Sequence, residues 1–320
     1  MKYLYVLVGS KKGFYCEQTL VSMVSLKKIS PKAFISLLVD EQTDQEYKSE
    51  ISNIKKYVDE YIIVPIKKEL PSTAKSRFMK TTMREYLKGD FLYVDADTIW
   101  CAPVDENDFS NDIMGVLDGH CLLNDHPLKK RIKEDFAKTN CNPDVEKYIN
   151  GGVLFSKDSE TSRIFFDLWH EKWKETSLNG CFIDMPSLNY AIKKIGGSFS
   201  VLPDAYNVQI SRSWKHFAEA KLVHFFTGWQ DEHFESPYLF QKKNFWTAIR
   251  NNGIDDLATF AIEKPRSAFD DSFGVYGKDE LDFHNTALYG FVADLYARRR
   301  ERKTFYFLNE IVKKISKMWH

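Results

Sequence analysis

Short apolar runs separated by helix-length stretches mark the first third of the chain. Residues 3–8 are apolar and β-branched or aromatic and stop at Gly9-Ser10, the pattern of a strand entering a turn. From Glu17 the apolar positions Leu20, Val21, Met23, Val24 and Leu26 follow helical spacing, and Ser30-Pro31 closes that segment. Residues 33–39 predict a second strand, 44–57 a polar helix and 61–64 a third strand. Ser72 or Thr73 is placed to cap a helix running to about Leu87, with Phe78, Met79, Met83 and Leu87 inward. Strands alternating with helices imply crossover connections, a largely parallel sheet and a ligand site above the strand ends.

The next apolar run, Phe91-Leu92-Tyr93-Val94, ends in Asp95-Ala96-Asp97. Residues two apart on an extended segment face the same way, so both carboxylates can meet one cation. Mg²⁺ or Mn²⁺ with diphosphate oxygens would satisfy such hard oxygen donors; a solvated strand-end turn is the other reading. Arg77, Lys80 and Arg84 lie three or four apart on the preceding helix, either as a solvated basic stripe or as a fork for an anionic ligand.

Further along, residues 113–117 predict a strand ending at Asp118. Residues 119–146 form a polar excursion, either a substrate-binding lid or an irregular surface loop. Residues 148–155 couple Asn150-Gly151-Gly152 to an apolar strand, where glycine permits a special dihedral or close ligand approach. Asp184 precedes Met185-Pro186 at a helix start, so helix capping accounts for it without any ligand. Residues 221–229 suggest a short strand meeting a turn at Gly228, with His224 either structural or a ligand. Residues 244–320 carry amphipathic runs, including 287–296 and 305–315.

Composition narrows the field. With 320 residues, 24 Phe and 16 Tyr, the chain can bury a large core. Lys plus Arg equals Asp plus Glu at 45 each, which gives no reason to expect a nucleic-acid binder. The exception is residues 298–320, where eight basic residues face two glutamates; together with the interleaved aromatics this suits either packing on the body or contact with an anionic membrane surface. Five widely spaced cysteines without a Cys-x-x-Cys pair point to reduced thiols, and neither a membrane span nor a secretory signal is expected.

Taken together, residues 92–97, residues 148–154, residues 184–189 and His224 followed by Gly228 resemble, in order and spacing, the family 8 glycosyltransferases, which include glycogenin and the lipopolysaccharide galactosyl- and glucosyltransferases. The resemblance spans about residues 1–230. It implies a GT-A fold, an α/β architecture with a mostly parallel, Rossmann-like mixed sheet, flanking helices and a helical C-terminal extension. Residues 1–240 would be the catalytic domain and 241–320 the extension. It implies a cytoplasmic, metal-dependent retaining enzyme that moves glucose or galactose from a UDP-sugar, with Mn²⁺ or Mg²⁺, to a glycan, lipid-linked glycan or protein acceptor.

By the same resemblance Asp95, Asp97 and His224 would hold the metal, and Arg77 would contact the donor sugar and diphosphate. Asn150, Gly151 and Asp184 would surround the donor sugar, and Asp118 would line the sugar and acceptor side. Val8, Gly9 and Ser10 would lie under the nucleoside, with Ala96 and Gly228 completing the donor site. Two departures stand out: Met185 replaces a common Gln, and the Lys that usually follows the His motif is missing, leaving Lys215, Lys221 or an Arg from elsewhere to grip the diphosphate. Two alternatives are a haloacid dehalogenase-like phosphatase with Asp95 as nucleophile, suggested by Val94-Asp95-Ala96-Asp97-Thr98, and a catalytically impaired nucleotide-sugar-binding protein.

Overall fold

A computed structural model describes residues 1–10, 13–141, 145–178, 180–226, 236–270, 282–283, 285–297 and 302–316. Four strands, β1 (Lys2–Leu7), β2 (Phe34–Asp40), β3 (Glu60–Val64) and β4 (Phe91–Val94), pair in parallel. Between them lie α1 (Tyr15–Ile29), the short α2 (Glu41–Glu46) and α3 (Lys48–Lys55), and α4 (Ser72–Tyr86). The single helix expected over 44–57 is thus two helices, separated at Tyr47.

The sheet then turns mixed. After β5 (Thr98–Trp100) come β6 (Ile113–Leu117), α5 (Lys129–Lys138), β7 (Ile149–Ser156), α6 (Glu160–Ser177), α7 (Met185–Ile195) and β8 (Phe199–Val201). β7 runs antiparallel to both β4 and β6, giving a seven-stranded sheet of order β3-β2-β1-β4-β7-β6-β8. This α/β architecture with a mixed central sheet and flanking helices is the one expected. Every residue of β4 and β7 is buried, as central strands covered on both faces require.

Of a second, three-stranded sheet, the sequence reading foresaw only the strand within 221–229 and missed its two partners. β10 (Leu222–His224) pairs antiparallel with β5 and parallel with β9 (Val208–Gln209). Strands of two or three residues carry too little periodicity to be seen locally. They hold because Ile99, Val208, Val223 and Phe225 pack on Tyr238, Phe240, Phe245 and Trp246, each large side chain contributing roughly 1.5–3 kcal/mol by burial. The same cluster draws α8 (Lys243–Asn252) and α9 (Asp256–Glu263) into the first of two compact units, Met1–Asp270 and Asp271–His320. Residue 240, where the catalytic domain was expected to end, falls within the first unit.

The excursion at 119–146 is not merely loop. It contains α5, and Leu123, Ile132, Phe136 and Cys141 form a small core with Tyr148 just beyond it. The cysteines are free thiols, with Cys16 and Cys141 buried and Cys101, Cys121 and Cys181 partly buried. Burial pushes the Cys16 and Cys101 thiols up to about 12, far from the reactive thiolate range.

Candidate functional site

The carboxyl ends of β1 and β4 open into a cavity of about 590 Å³, lined by residues from α4, β7, the start of α7 and the end of β10. Asp95 and Asp97 project from the turn after β4. That turn is held by the Asp95 N–H donating to the Gly152 carbonyl (2.8 Å) and the Thr98 hydroxyl donating to the Asp95 carbonyl (2.8 Å). The β5/β10 register sets His224 opposite Thr98, and the Phe225 N–H donates to the Asp97 carbonyl at 3.1 Å. One ligand atom from each of Asp95, Asp97 and His224 then lies within 4.8 Å of the others.

A chain of hydrogen bonds decides which His224 nitrogen faces the carboxylates. The Gly152 backbone N–H can only donate, and it donates to Asn150 Oδ1 at 2.8 Å. Asn207 Nδ2 donates to the same oxygen at 3.0 Å, which leaves Asn207 Oδ1 to accept the His224 Nδ1 proton at 3.1 Å. His224 Nε2 consequently faces Asp97 Oδ1, 3.1 Å away, and Asp95 Oδ2, 4.0 Å away: the charged ring donates to them, and the neutral ring turns a lone pair toward them. In the neutral ring that lone pair and the carboxylate oxygens repel unless a cation lies among them. A neutral imidazole oriented by an outer amide, with two carboxylates, fits a hard divalent ion. The Asp97 carboxyl, though burial alone would raise it, is held below its ordinary value by His224.

Asn207 is a positioning residue that sequence reasoning missed, and no local signal marks it. Asn207→Ala is expected to weaken Mn²⁺ affinity about 10–100-fold. Titration calorimetry with Mn²⁺ measures this; parent-like affinity would remove the relay from the account.

The pattern of glycines also resolves. A Cβ on Gly152 would run into the His224 imidazole and come within 2.9 Å of Asn150 Oδ1, whereas one on Gly151 meets its neighbours at 3.4 Å or beyond. The close approach therefore belongs to Gly152, although both glycines line the cavity. Asn150, expected to offer its amide to a ligand, spends it on Gly152, Asn207 and Asp118 (2.8 Å). Asn150 organises the wall.

Two cations from α4 enter the cavity. Arg77 Nε lies 3.0 Å from Asp184 Oδ1, and the Asp184 charge keeps the guanidinium above its ordinary range. Lys80, only 3% exposed, places Nζ 3.1 Å from Asp95 Oδ1 and 3.9 Å from Asp184 Oδ2. The Tyr93 hydroxyl, kept protonated by burial and the neighbouring Asp95 charge, donates to Asp95. The third basic residue of the stripe, Arg84, instead donates to the carbonyls of Leu87, Gly89 and Lys157 and secures the helix end. Helical spacing alone could not separate these fates.

Asp184 occupies the N-cap position of α7 but makes no capping hydrogen bond. Its carboxylate turns instead to Arg77 and Lys80, and the buried Oδ2 has no hydrogen-bond partner among the described residues. A buried acceptor lining a cavity suits a ligand hydroxyl. The α4 cap likewise differs from expectation: Pro71 holds the N-cap position, without a side-chain cap from Ser72 or Thr73.

Asp118 lines the same cavity and accepts from Asn150, with His126 Nε2 3.0 Å away. Burial would raise its carboxyl, but the His126 and Asn150 contacts hold it below its ordinary value. Val8, Ser10, Ala96 and Met185 also line the cavity. Gly9 lies in an adjoining one of about 250 Å³ with Asp40, Tyr47 and Lys75, where a Cβ would strike the Tyr47 ring. Gly228 lies outside the described residues. Of the basic residues considered for the diphosphate, Lys221 is engaged by Asp108 (3.3 Å) and Tyr206 (2.9 Å), and Lys215 is not among the cavity residues. Arg212 does line the cavity, beside Phe226, which stacks on the His224 ring at 3.8 Å.

A second group, His120, Asp204 and His216, also gathers three ligand atoms within 4.8 Å. There the Gln209 backbone N–H donates to His120 Nε2 (3.1 Å), which puts the neutral ring's proton on Nδ1, 2.8 Å from Asp204. That nitrogen is a donor, so the group ties loops together rather than converging three lone pairs.

No family model matches the sequence, and no curated protein matches it. Among solved structures, the galactosyltransferase LgtC in complex with donor and acceptor sugar analogs is similar at 12% identity and TM-score 0.48, over 70% of this chain and 87% of that one. An active-site mutant of LgtC gives 13%, 0.47, 70% and 87% in the same terms. The apo form of mouse xyloside xylosyltransferase 1 gives 11% identity and TM-score 0.47, over 72% of this chain and 99% of that one. Likeness at this level says nothing by itself about chemistry.

Proposed function

We propose that this chain is a retaining glycosyltransferase of GT-A type, moving glucose or galactose from a UDP-sugar to an acceptor hydroxyl of a surface glycan or lipopolysaccharide precursor. One observation carries the reading: His224 Nε2, oriented through Asn207, converges with Asp95 and Asp97 at a cavity that also holds Arg77 and Lys80. The sequence resemblance supplies the reaction class, and the donor set agrees with the ion it implies. A divalent ion such as Mn²⁺ or Mg²⁺, held by Asp95, Asp97 and His224, would supply Lewis-acid neutralisation of the departing diphosphate.

The chain's own groups account for the rest. Arg77 and Lys80 add fixed positive charge toward the diphosphate, in a wall sheltered from water where such charge acts strongly. The free Asp184 Oδ2 takes a hydroxyl of the donor sugar. Because Asp184 is already paired with Arg77 and near Lys80, its carboxylate is a poor nucleophile, which favours front-face substitution over a covalent intermediate. In that route the bond from the anomeric carbon to the diphosphate oxygen breaks while the acceptor oxygen bonds to the same face. The acceptor's proton passes to the diphosphate oxygen, and bound geometry supplies the proximity.

The test is a screen of UDP-glucose and UDP-galactose with Mn²⁺, following UDP release, the mass of acceptor products and their anomeric configuration. Release that requires the ion and rises with acceptor is expected. Metal-independent transfer at undiminished rate defeats the reading. Phosphate-ester cleavage through phosphorylated Asp95 would favour the phosphatase, and UDP binding without turnover a binding protein.

A further inference from the structure

We propose that His126 is a positioning residue that fixes the Asp118 carboxylate as the acceptor for a hydroxyl of the sugar in the main cavity, the sugar's place there resting on the functional reading above. Asp118 lines that cavity, and its two oxygens meet two different groups. Asn150 Nδ2 donates to Oδ1 at 2.8 Å, and His126 Nε2 lies 3.0 Å from Oδ2. The Asn150 amide is itself fixed by Gly152 and Asn207, but it pins one oxygen only. A carboxylate held at one oxygen turns freely about its Cβ–Cγ bond; the second contact sets its plane.

The surroundings of the imidazole assign its proton. The Leu128 backbone N–H can only donate, and it donates to His126 Nδ1 at 3.0 Å, so the ring proton sits on Nε2, the nitrogen that faces Asp118. The side chain is fully buried. The approach to Asp118 is short but bent, which leaves Nε2 a buried donor without an aligned acceptor among the described residues. Bent bonds of this kind commonly tighten in the ligand complex.

Room for the ring comes from Gly119. A Cβ there would lie 2.7 Å from His126 Nε2, and its φ of 67° suits glycine. The His126 N–H donates to the Leu123 carbonyl at 3.3 Å, and the Lys129 N–H donates to the His126 carbonyl at 3.0 Å. These bonds seat the imidazole between the small core of the 119–146 excursion and the start of α5. The excursion, read from sequence as a lid or a surface loop, delivers a side chain to the back of the site.

The experiment is calorimetry of the full chain in Mn²⁺ with UDP and with UDP-glucose or UDP-galactose, whichever the parent binds more tightly, read as the ratio of UDP-sugar to UDP affinity. UDP is the internal reference because it lacks the sugar. His126→Phe is expected to lower the ratio about tenfold, the effect of losing one hydrogen bond to a charged group, and His126→Gln, which returns an N–H donor, to recover part of it. In an Asp118→Asn background His126→Phe should cost nothing further. As pH falls, the ratio should drop at a higher pH in His126→Phe than in the parent. The His126 and Asn150 contacts hold the Asp118 carboxyl below its ordinary value, so without His126 it protonates sooner. Arg212, His120, Cys121 and Tyr148, which also interact electrostatically with Asp118, are common to both proteins. A parent-like ratio in His126→Phe, an equal loss in the Asp118→Asn background, or an unshifted pH dependence would overturn the positioning role while leaving the functional reading in place. No UDP-sugar binding by the parent would overturn both.

Discussion

Asp97→Asn is expected to lower Mn²⁺ affinity about 10²–10³-fold, roughly 3–4 kcal/mol, and to take metal-supported UDP binding with it. Asp97 is the carboxylate nearest His224 Nε2, at 3.1 Å. The amide preserves shape but removes the charge that a dication requires, and its NH₂ can turn toward Nε2 and donate where the metal should sit. Because His224 is held independently by Asn207 and by the β5/β10 ladder, the substitution leaves the wall standing. Calorimetry with Mn²⁺, alone and with UDP, measures the effect, and circular dichroism checks the fold. Affinity within threefold of the parent would mean that Asp95, Asp97 and His224 gather for another reason.

The second large effect belongs to Lys80. Its ammonium is the buried countercharge between Asp95 and Asp184, and Lys80→Met leaves Asp184 with Arg77 and Asp95 with the Tyr93 hydroxyl and His224. Breaking a fully buried pair typically costs about 3–5 kcal/mol; the quarter exposure of Asp95 trims the expected loss to about 2–3 kcal/mol. Thermal unfolding should show a midpoint lower by roughly 3–5 °C. Added Mn²⁺ should restore more stability to the variant than it adds to the parent, because the ion replaces the missing charge at Asp95. A parent-like midpoint, or an equal metal response in both proteins, would sink the role given to Lys80.

These two residues mark the limits of sequence reading. Asp95 and Asp97 were legible because two residues on one strand end share a direction whatever the rest of the chain does. Lys80 and Arg84 were indistinguishable, since helical spacing gives relative faces but not what each face meets. Lys80 meets the end of β4, while Arg84 meets carbonyls at its own helix end. Asp184 looked like a cap because caps are local, and it was drawn away by charges on a helix a hundred residues earlier. Gly152 and Gly151 were equal in sequence until His224 was packed against one of them.

What the amino-acid order determined by itself was the alternation of strands and helices, the direction of the Asp95/Asp97 pair and the segregation of positive charge to the last residues. Each follows from periodicity or covalent neighbourhood. Tertiary structure alone decided which imidazole nitrogen faces the carboxylates, which basic residues point inward and where the first unit ends. Those depend on contacts between segments up to 237 positions apart, with His224 and Asp97 brought together by strands of two or three residues whose stability comes from the aromatic side chains packed beneath them.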